Sequence, residues 1–353
     1  MKKAENIIVG ISIGDLNGVG SEVVLKTFED TRMLELCTPV IFANVKTLSF
    51  LKKSFESTAM LHGIDRLDQL VIGKINVLNI WRDGFTLEYG VNDPIVGQHA
   101  IKSFVAATNA LKEGLVDVLV TAPINKYNVQ SEEFKFPGHT DYLNQELKGN
   151  ALMLMVQDNL RVGLLTDHIA VNEVASHLTE ELIRQKIETI KQTLIQDFSI
   201  NKPKIAVLGL NPHAGDGGVI GKEDDAIIKP VIKKMFEKGT MVFGPYPADG
   251  FFGSGQYEKF DAVIATYHDQ GLIPFKTLSF GNGANYTAGL DKIRTSPDHG
   301  TAYDIAGKGI ADFNSFKEAV YLAIDIYNSR NLYKEISERP LKIKEKHLES
   351  KKG

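Results

Sequence analysis

The chain has 353 residues, more than a usual single domain, and this length favours two domains around an ample buried core. Hydrophobic residues at 43% and charged residues at 24% exclude general disorder, and a formal net charge of -4 excludes a global basic field for nucleic acid. The single cysteine, Cys37, excludes an internal disulfide and a multi-cysteine zinc site, and it makes a reducing compartment, the cytoplasm, the default.

Taken in chain order, Met1-Lys2-Lys3 before IIVGISIG imitates a secretory leader. The apolar stretch runs only from Ile7 to Ile13 and ends at Gly14-Asp15 with no small-residue cleavage pattern, so a buried strand is expected instead. No apolar run approaches the roughly 18–20 residues of a membrane helix. Beyond it, short Val/Ile/Leu-rich runs alternate with longer amphipathic stretches, the pattern of an α/β protein with a parallel sheet. Strands are expected at 7–13, 40–43, 71–78, 118–120, 152–156, 161–165, 204–209, 241–243 and 262–265. Helices are expected at 21–28, 97–111, 180–195, 224–236 and 316–328, with Asn92-Asp93-Pro94 as cap and first turn of the second. No repeat and no Gly/Ser/Pro linker divides the chain, and the charged end KIKEKHLESKKG is expected to be a frayed tail.

Three apolar runs each lead into a histidine: RVGLLTDH at His168, KIAVLGLNPH at His213 and DAVIATYH at His268. Ligands of open α/β sheets bind outside the carboxyl ends of the strands. Three neutral imidazoles delivered there can share a divalent ion and leave it an open position, as catalytic sites require. The bland alternative is that each histidine only caps its strand. In NPHAGDGG, glycines permit close backbone approach to a ligand, and in YHDQGL the Asp269 carboxylate can orient the His268 ring or ligate metal itself.

Gly138-His139-Thr140 precedes a helical pattern, where free backbone N–H groups and the Thr140 hydroxyl can cradle an anion. On residue type alone a plain N-cap role for Thr140 is the simpler expectation. Lys276, Asn285 and Arg294 lie in a Gly-, Asn- and Thr-rich stretch that reads as a loop-built anion site, with arginine supplying the fork and lysine the point charge. TAPINK closes another apolar run, so Lys126 can reach the same cleft. GDLNGVGSE enters a helix after the first strand, but Val23 stands where a dinucleotide fingerprint needs its third glycine, so an ordinary Rossmann site is not expected.

Together, GDLNGVGSE, TAPINK, FPGHTDYL, TDH, NPHAGDGG, YPAD, YHDQGL and GANYTAGLDKIRTSPDHGTAYDIAGKG resemble the 4-hydroxythreonine-4-phosphate dehydrogenase family of pyridoxal phosphate biosynthesis, in that family's order and over nearly the whole chain. The resemblance implies an isocitrate/isopropylmalate-dehydrogenase-like architecture of two α/β/α domains with a cleft between them. Their expected extents are 1–125 with 276–340, and 126–275, which carries most metal ligands; 341–353 is the tail. It implies a homodimer with its cleft at the subunit interface, and no membrane or nucleic-acid partner is expected. It implies a divalent metal (zinc, magnesium or cobalt) on His168, His213 and His268, with ligands shared between subunits. His139, Thr140, Lys276, Asn285 and Arg294 would contact a small phosphorylated substrate.

The implied reaction is oxidation of 4-phosphooxy-L-threonine at carbon 3 by NAD or NADP, then decarboxylation to 3-amino-2-oxopropyl phosphate. Lys126 and Asp269 are the candidate proton acceptors. The sequence departs from the family at Asn17, where proline is usual, at Ala122, where glycine is common, and around Gly84–Gly90. These departures keep open the 4-phosphothreonate and 4-phosphoerythronate dehydrogenases of the same family. A metal-dependent hydrolase or lyase using the same histidines and a phosphate-acyltransferase-like protein without a metal triad are the alternatives from other classes.

Overall fold

Ile7–Ser12 (β1) and Cys37–Ala43 (β2) are almost wholly buried, as their predominantly apolar sequences suit strands covered on both faces. The computed structural model describes residues 6–132 and 134–338; the expected tail at 341–353 lies outside the described residues. The remaining strands are Leu61–Ile64 (β3), Ile75–Asn79 (β4), Val118–Thr121 (β5), Gly149–Gln157 (β6), Leu160–Leu164 (β7), Ile205–Leu208 (β8), Val242–Tyr246 (β9), Ala262–Ala265 (β10), Ala284–Leu290 (β11) and Arg294–Pro297 (β12). They form one sheet in the order β3-β4-β2-β1-β5-β12-β11-β6-β7-β10-β8-β9.

Two parallel blocks make up this sheet. β3, β4, β2, β1, β5 and β12 run one way. β7, β10, β8 and β9 run the other, joined to the first block through the antiparallel pairings of β11 and β6. The sheet is therefore continuous from one half of the molecule to the other.

Helices cover the sheet as their periodicity demands. Glu180–Gln196 buries Ile183, Ile187, Ile190 and Leu194 along one stripe, and the Thr179 side chain caps it by accepting from Leu182 N at 3.1 Å. Pro94–Glu113 starts as expected, with Pro94 in the first turn and Asp93 accepting from Ile95 N at 2.7 Å; it ends at Gly114 in the left-handed conformation. Asn314–Glu338 packs on β12, β11 and β5 through Phe316, Ala319, Val320 and Ala323. Among the described residues no helix is long and apolar enough to cross a membrane.

The structure corrects the expected elements in one region that matters for the site. The stretch from Lys276 to Arg294 is not a loop: Lys276 lies in the helix His268–Ser279, Asn285 on β11, and Arg294 opens β12. β3 and the helix Val45–Ser54 were also not anticipated.

Candidate active site

Strand order brings the three histidines to one edge. β7, β10 and β8 are adjacent and parallel, so the loops beyond Leu164, Ala265 and Leu208, which lead to His168, His268 and His213, leave the sheet on the same side. The His168 and His268 rings lie 5.9 Å apart between centroids. His268 Nδ1 is 2.7 Å from Asp269 Oδ1, so the ring donates there and turns the lone pair of Nε2 outward.

His213 begins a run of positive φ that includes Ala214 and Asp216, a conformation the interspersed Gly215, Gly217 and Gly218 ease. The buried Asp224 carboxylate secures this loop by accepting from Leu210 N at 2.8 Å and Asn211 N at 3.0 Å. Among the described residues of one chain, no three His, Cys, Asp or Glu side chains are arranged to hold a metal ion. A single chain thus pairs His168 with His268 and leaves His213 outside the pair.

A cleft of about 410 Å³ opens over the central strands, floored by alternate residues Met153 and Met155 of β6 and Arg294 and Ser296 of β12. His168, His268, Lys126, His139, Thr140, Lys276, Asn285 and Arg294 all line it. Asp269 instead faces a smaller cavity with Thr166, His168 and Tyr267, and His213 lines neither.

Arg294 is 3% exposed. Its Nε and Nη2 donate to Thr121 Oγ1 at 3.1 and 2.6 Å, and Nη1 donates to Thr287 Oγ1 at 3.1 Å. Both partners are neutral hydroxyls, and one N–H on each Nη remains for a ligand. Burial without a carboxylate pushes its pKa down to about 9. Lys276 Nζ donates to Asp298 O at 3.1 Å, which holds the ammonium toward the same cleft.

His139 is enclosed against Phe104, edge to face at 4.5 Å, and burial, with Arg294 and Lys126 adding repulsion, holds its pKa well below the ordinary histidine value. It is neutral. His139 Nε2 and Asn285 Oδ1 are buried with no partner among the described residues. Asn285 Oδ1 can be completed only by a donor, such as a hydroxyl or ammonium of a ligand, and the His139 nitrogen can pair with a polar group of the same ligand. Thr140 is not an N-cap: Gly138 occupies the cap of the helix His139–Glu146, no side chain caps it, and the Thr140 hydroxyl is left for the cleft.

Sequence reasoning missed His299. Its Nδ1 is 3.0 Å from Gly300 O, its Nε2 is buried without a partner among the described residues, and it lines the cleft beside Asp298. The available signal was a further histidine-bearing segment, PDHG, immediately after the strand that carries Arg294.

The loop after β1 is a packing hub. The buried Asp15 accepts from Asn17 N, Asn128 Nδ2 and Tyr303 OH at 2.9, 2.8 and 2.6 Å. A Cβ on Gly14, Gly18 or Gly20 would overlap the backbone oxygen of Pro123, Thr301 or Ile13 respectively, so these glycines admit chain rather than a dinucleotide phosphate. Two stretches singled out in the sequence, Asn17 and the segment around Gly84–Gly90, touch each other here. Asn17 donates from Nδ2 to Val91 O and accepts at Oδ1 from Glu88 N, both at 2.9 Å, pinning the segment around Gly84–Gly90; a proline makes neither bond.

Residues 35–323 match the family described as "Pyridoxal phosphate biosynthetic protein PdxA". The chain is 49% identical over 338 residues to a 4-hydroxythreonine-4-phosphate dehydrogenase of Bacteroides thetaiotaomicron, covering 95% of this chain and 93% of the relative. It is 35% identical to a D-threonate 4-phosphate dehydrogenase of Cupriavidus necator, over 92% and 98% of the two chains. The crystal structure of a 4-hydroxythreonine-4-phosphate dehydrogenase from Klebsiella pneumoniae superposes with a TM-score of 0.79 at 32% identity, covering 93% of this chain and 99% of the other.

Proposed function

The chain belongs to the family of pyridoxal phosphate biosynthetic proteins PdxA, and from that premise we propose that it is a 4-hydroxythreonine-4-phosphate dehydrogenase. In this reading it oxidises 4-phosphooxy-L-threonine at carbon 3 and releases carbon dioxide to leave 3-amino-2-oxopropyl phosphate. The observation that carries the reading is a buried arginine without a carboxylate partner in the same cleft as a pair of facing histidines. One end of the cleft suits a phosphate and the other a cation.

Arg294 and Lys276 hold the anionic ends of the substrate, Asn285 and the neutral His139 make neutral hydrogen bonds, and Thr140 adds its hydroxyl. Fixing both ends converts binding into orientation of the carbon between them. Of the two candidate proton acceptors, Lys126 lines the cleft and takes the hydroxyl proton in this reading. Asp269 acts one step back by orienting the His268 ring.

The donor set fits a divalent ion that accepts nitrogen ligands, such as zinc or cobalt, better than it fits oxygen-seeking magnesium, and two imidazoles 5.9 Å apart can both reach one cation. The third ligand, His213, comes from a second copy of the chain. Exposed apolar side chains beside the histidines, Val171 at 76% and Ile273 at 63%, support such a homodimer. When bound, the metal supplies Lewis acidity to the reacting hydroxyl, and a nicotinamide, NAD or NADP, supplies the hydride acceptor. The cleft's two sides are assigned to domains at 1–125 with 276–340 and at 126–275, in a cytoplasmic enzyme.

The test is cofactor reduction by the purified protein with phosphorylated threonine, threonate and erythronate, each with several divalent ions. Turnover of 4-phosphooxy-L-threonine at the highest kcat/KM is the expected result. Preference for phosphothreonate would move the chain to the activity of its Cupriavidus relative, and absence of any cofactor reduction would sink the dehydrogenase reading.

A further inference from the structure

Past Leu164 and Ala265, β7 and β10 stay joined by backbone bonds, Leu165 N to Ala265 O at 2.8 Å and Thr166 N to Thr266 O at 3.2 Å, and side chains add further ties that reach β8. Thr166 Oγ1 donates to Thr266 O at 2.7 Å, linking the segment before His168 to the segment before His268. Gln270 then bridges to the next strand. Its Oε1 accepts from Thr266 N at 2.7 Å and Thr266 Oγ1 at 2.9 Å, while its Nε2 donates to Gly209 O at 2.6 Å. Gly209 follows β8 directly and leads into the His213 loop.

We propose that Gln270 is a positioning residue for the metal centre, its carboxamide setting the separation between the backbone that carries His268 and the backbone that carries His213. This rests on the metal reading above. The carboxamide replaces a backbone ladder bond where the strands diverge, and it needs an acceptor and a donor on one planar group. Because His213 completes the centre of a second copy in that reading, the tie sets how far each chain's donated His213 stands from its own His168–His268 pair, and so the distance between the two centres that a dimer must match.

The competing role is local. Gln270 lies in the first turn of the helix His268–Ser279, where a Gln or Glu side chain reaching back to a backbone N–H is an ordinary helix start. That role uses only the contact with Thr266. The bond to Gly209 O is what the positioning role adds, and Gln270→Glu separates them. A carboxylate keeps the acceptor for Thr266 and favours the helix start, but it has no donor for Gly209 and repels its carbonyl.

The experiment measures zinc affinity by competition with a chromophoric chelator, and amide exchange over 210–214 in zinc-free protein. Wild type, Gln270→Glu, Gln270→Ala and His213→Ala are compared, with circular dichroism and melting as controls on folding. The expected result is zinc binding weakened about 10- to 100-fold in both Gln270 variants, as for outer partners of metal ligands. Faster exchange over 210–214 should accompany it, with cooperative melting retained. Zinc affinity equal to wild type in Gln270→Glu overturns the proposal whether or not exchange changes, because a purely structural tie would move exchange alone. If wild type binds no zinc, or His213→Ala binds it as well as wild type, the metal reading falls and takes the proposal with it.

Discussion

Arg294 and Thr121 meet through two hydrogen bonds, with Nη2 and Nε of the guanidinium 2.6 and 3.1 Å from one threonine hydroxyl. The pair joins β12 to the end of β5 and leaves a positive charge buried among neutral groups. Such a charge is costly unless something anionic completes it. A phosphate is the completing group in the proposed reaction.

Replacement of Arg294 therefore tests the anion site directly. Arg294→Ala should lower kcat/KM for the phosphorylated substrate by roughly ten- to a hundred-fold or more, the effect of losing a charge-assisted bond of about 1.5–3 kcal/mol. Arg294→Lys should also be impaired, since the charge stays but the fork that spans Thr121 and the ligand is lost. Metal content should stay unchanged. Steady-state kinetics beside metal analysis checks this, and an Arg294→Ala enzyme with wild-type kcat/KM removes the residue from the site.

The lowered pKa of Arg294 has a sign that can be followed. Binding of the anion needs the protonated guanidinium, so it is present below about 9 and lost as pH rises through that value. Folding responds oppositely. The unfolded chain keeps this proton to higher pH than the folded chain, so above about 9 this group's contribution to stability rises with pH. The rise in Tm caused by inorganic phosphate should thus shrink between pH values about one unit below and above 9, and Arg294→Ala should show no such rise at either. A phosphate effect independent of pH and of Arg294 would place the anion elsewhere.

Sharing of the metal ligands between two copies predicts complementation. His213→Ala and His268→Ala should each be inactive as homodimers. Mixed and reassembled in equal amounts, half the dimers are heterodimers with one intact centre of two, so activity should return to about a quarter of wild type. If all three histidines served one chain, no mixed dimer would hold an intact centre. Activity of the re-equilibrated mixture decides between the two arrangements.

Asn17 offers a test away from the chemistry. Its side-chain bonds to Glu88 N and Val91 O fasten the segment around Gly84–Gly90 to the loop after β1. Asn17→Ala should lower stability by about 1–3 kcal/mol, the usual range for two lost hydrogen bonds. Limited proteolysis should then cut within 82–91 sooner, with zinc affinity unchanged. Equal melting and equal cleavage would show that the segment is held by other contacts.

Much of the candidate site was legible as residue types in order along the chain. The apolar runs ending at His168, His213 and His268, the Asp93-Pro94 helix start, and the pairing of Lys276 with Arg294 are local features of residue type and order. The strands that became β11 and β12 were not legible. GANYTAGL and RTSP are short or rich in Gly, Ala and Asn and lack the β-branched alternation that marks a strand, yet they occupy the middle of the sheet. Neighbouring ladders from β5 and β6 impose the extended form there, and pairing of that kind is not written in any local window.

Residue type by itself determined which groups this protein can bring to a site: imidazoles after three strands, a guanidinium and ammoniums, and no thiol set for zinc. Only the tertiary structure decided how they meet. The separations of the three histidines along the chain are silent about the order β7-β10-β8, which brings all three loops to one edge; the course of each loop beyond its strand then sets the His168 and His268 rings at 5.9 Å and leaves His213, on its run of positive φ, outside the pair. The same holds for Arg294. Its charge is a property of the sequence, but its burial beside Thr121, 173 residues away on the neighbouring strand β5, and Thr287, across the β11–β12 hairpin, is what lowers its pKa. Long-range strand pairing made both arrangements, because hydrogen-bonded ladders fix neighbours at about 4.8 Å regardless of their distance along the chain.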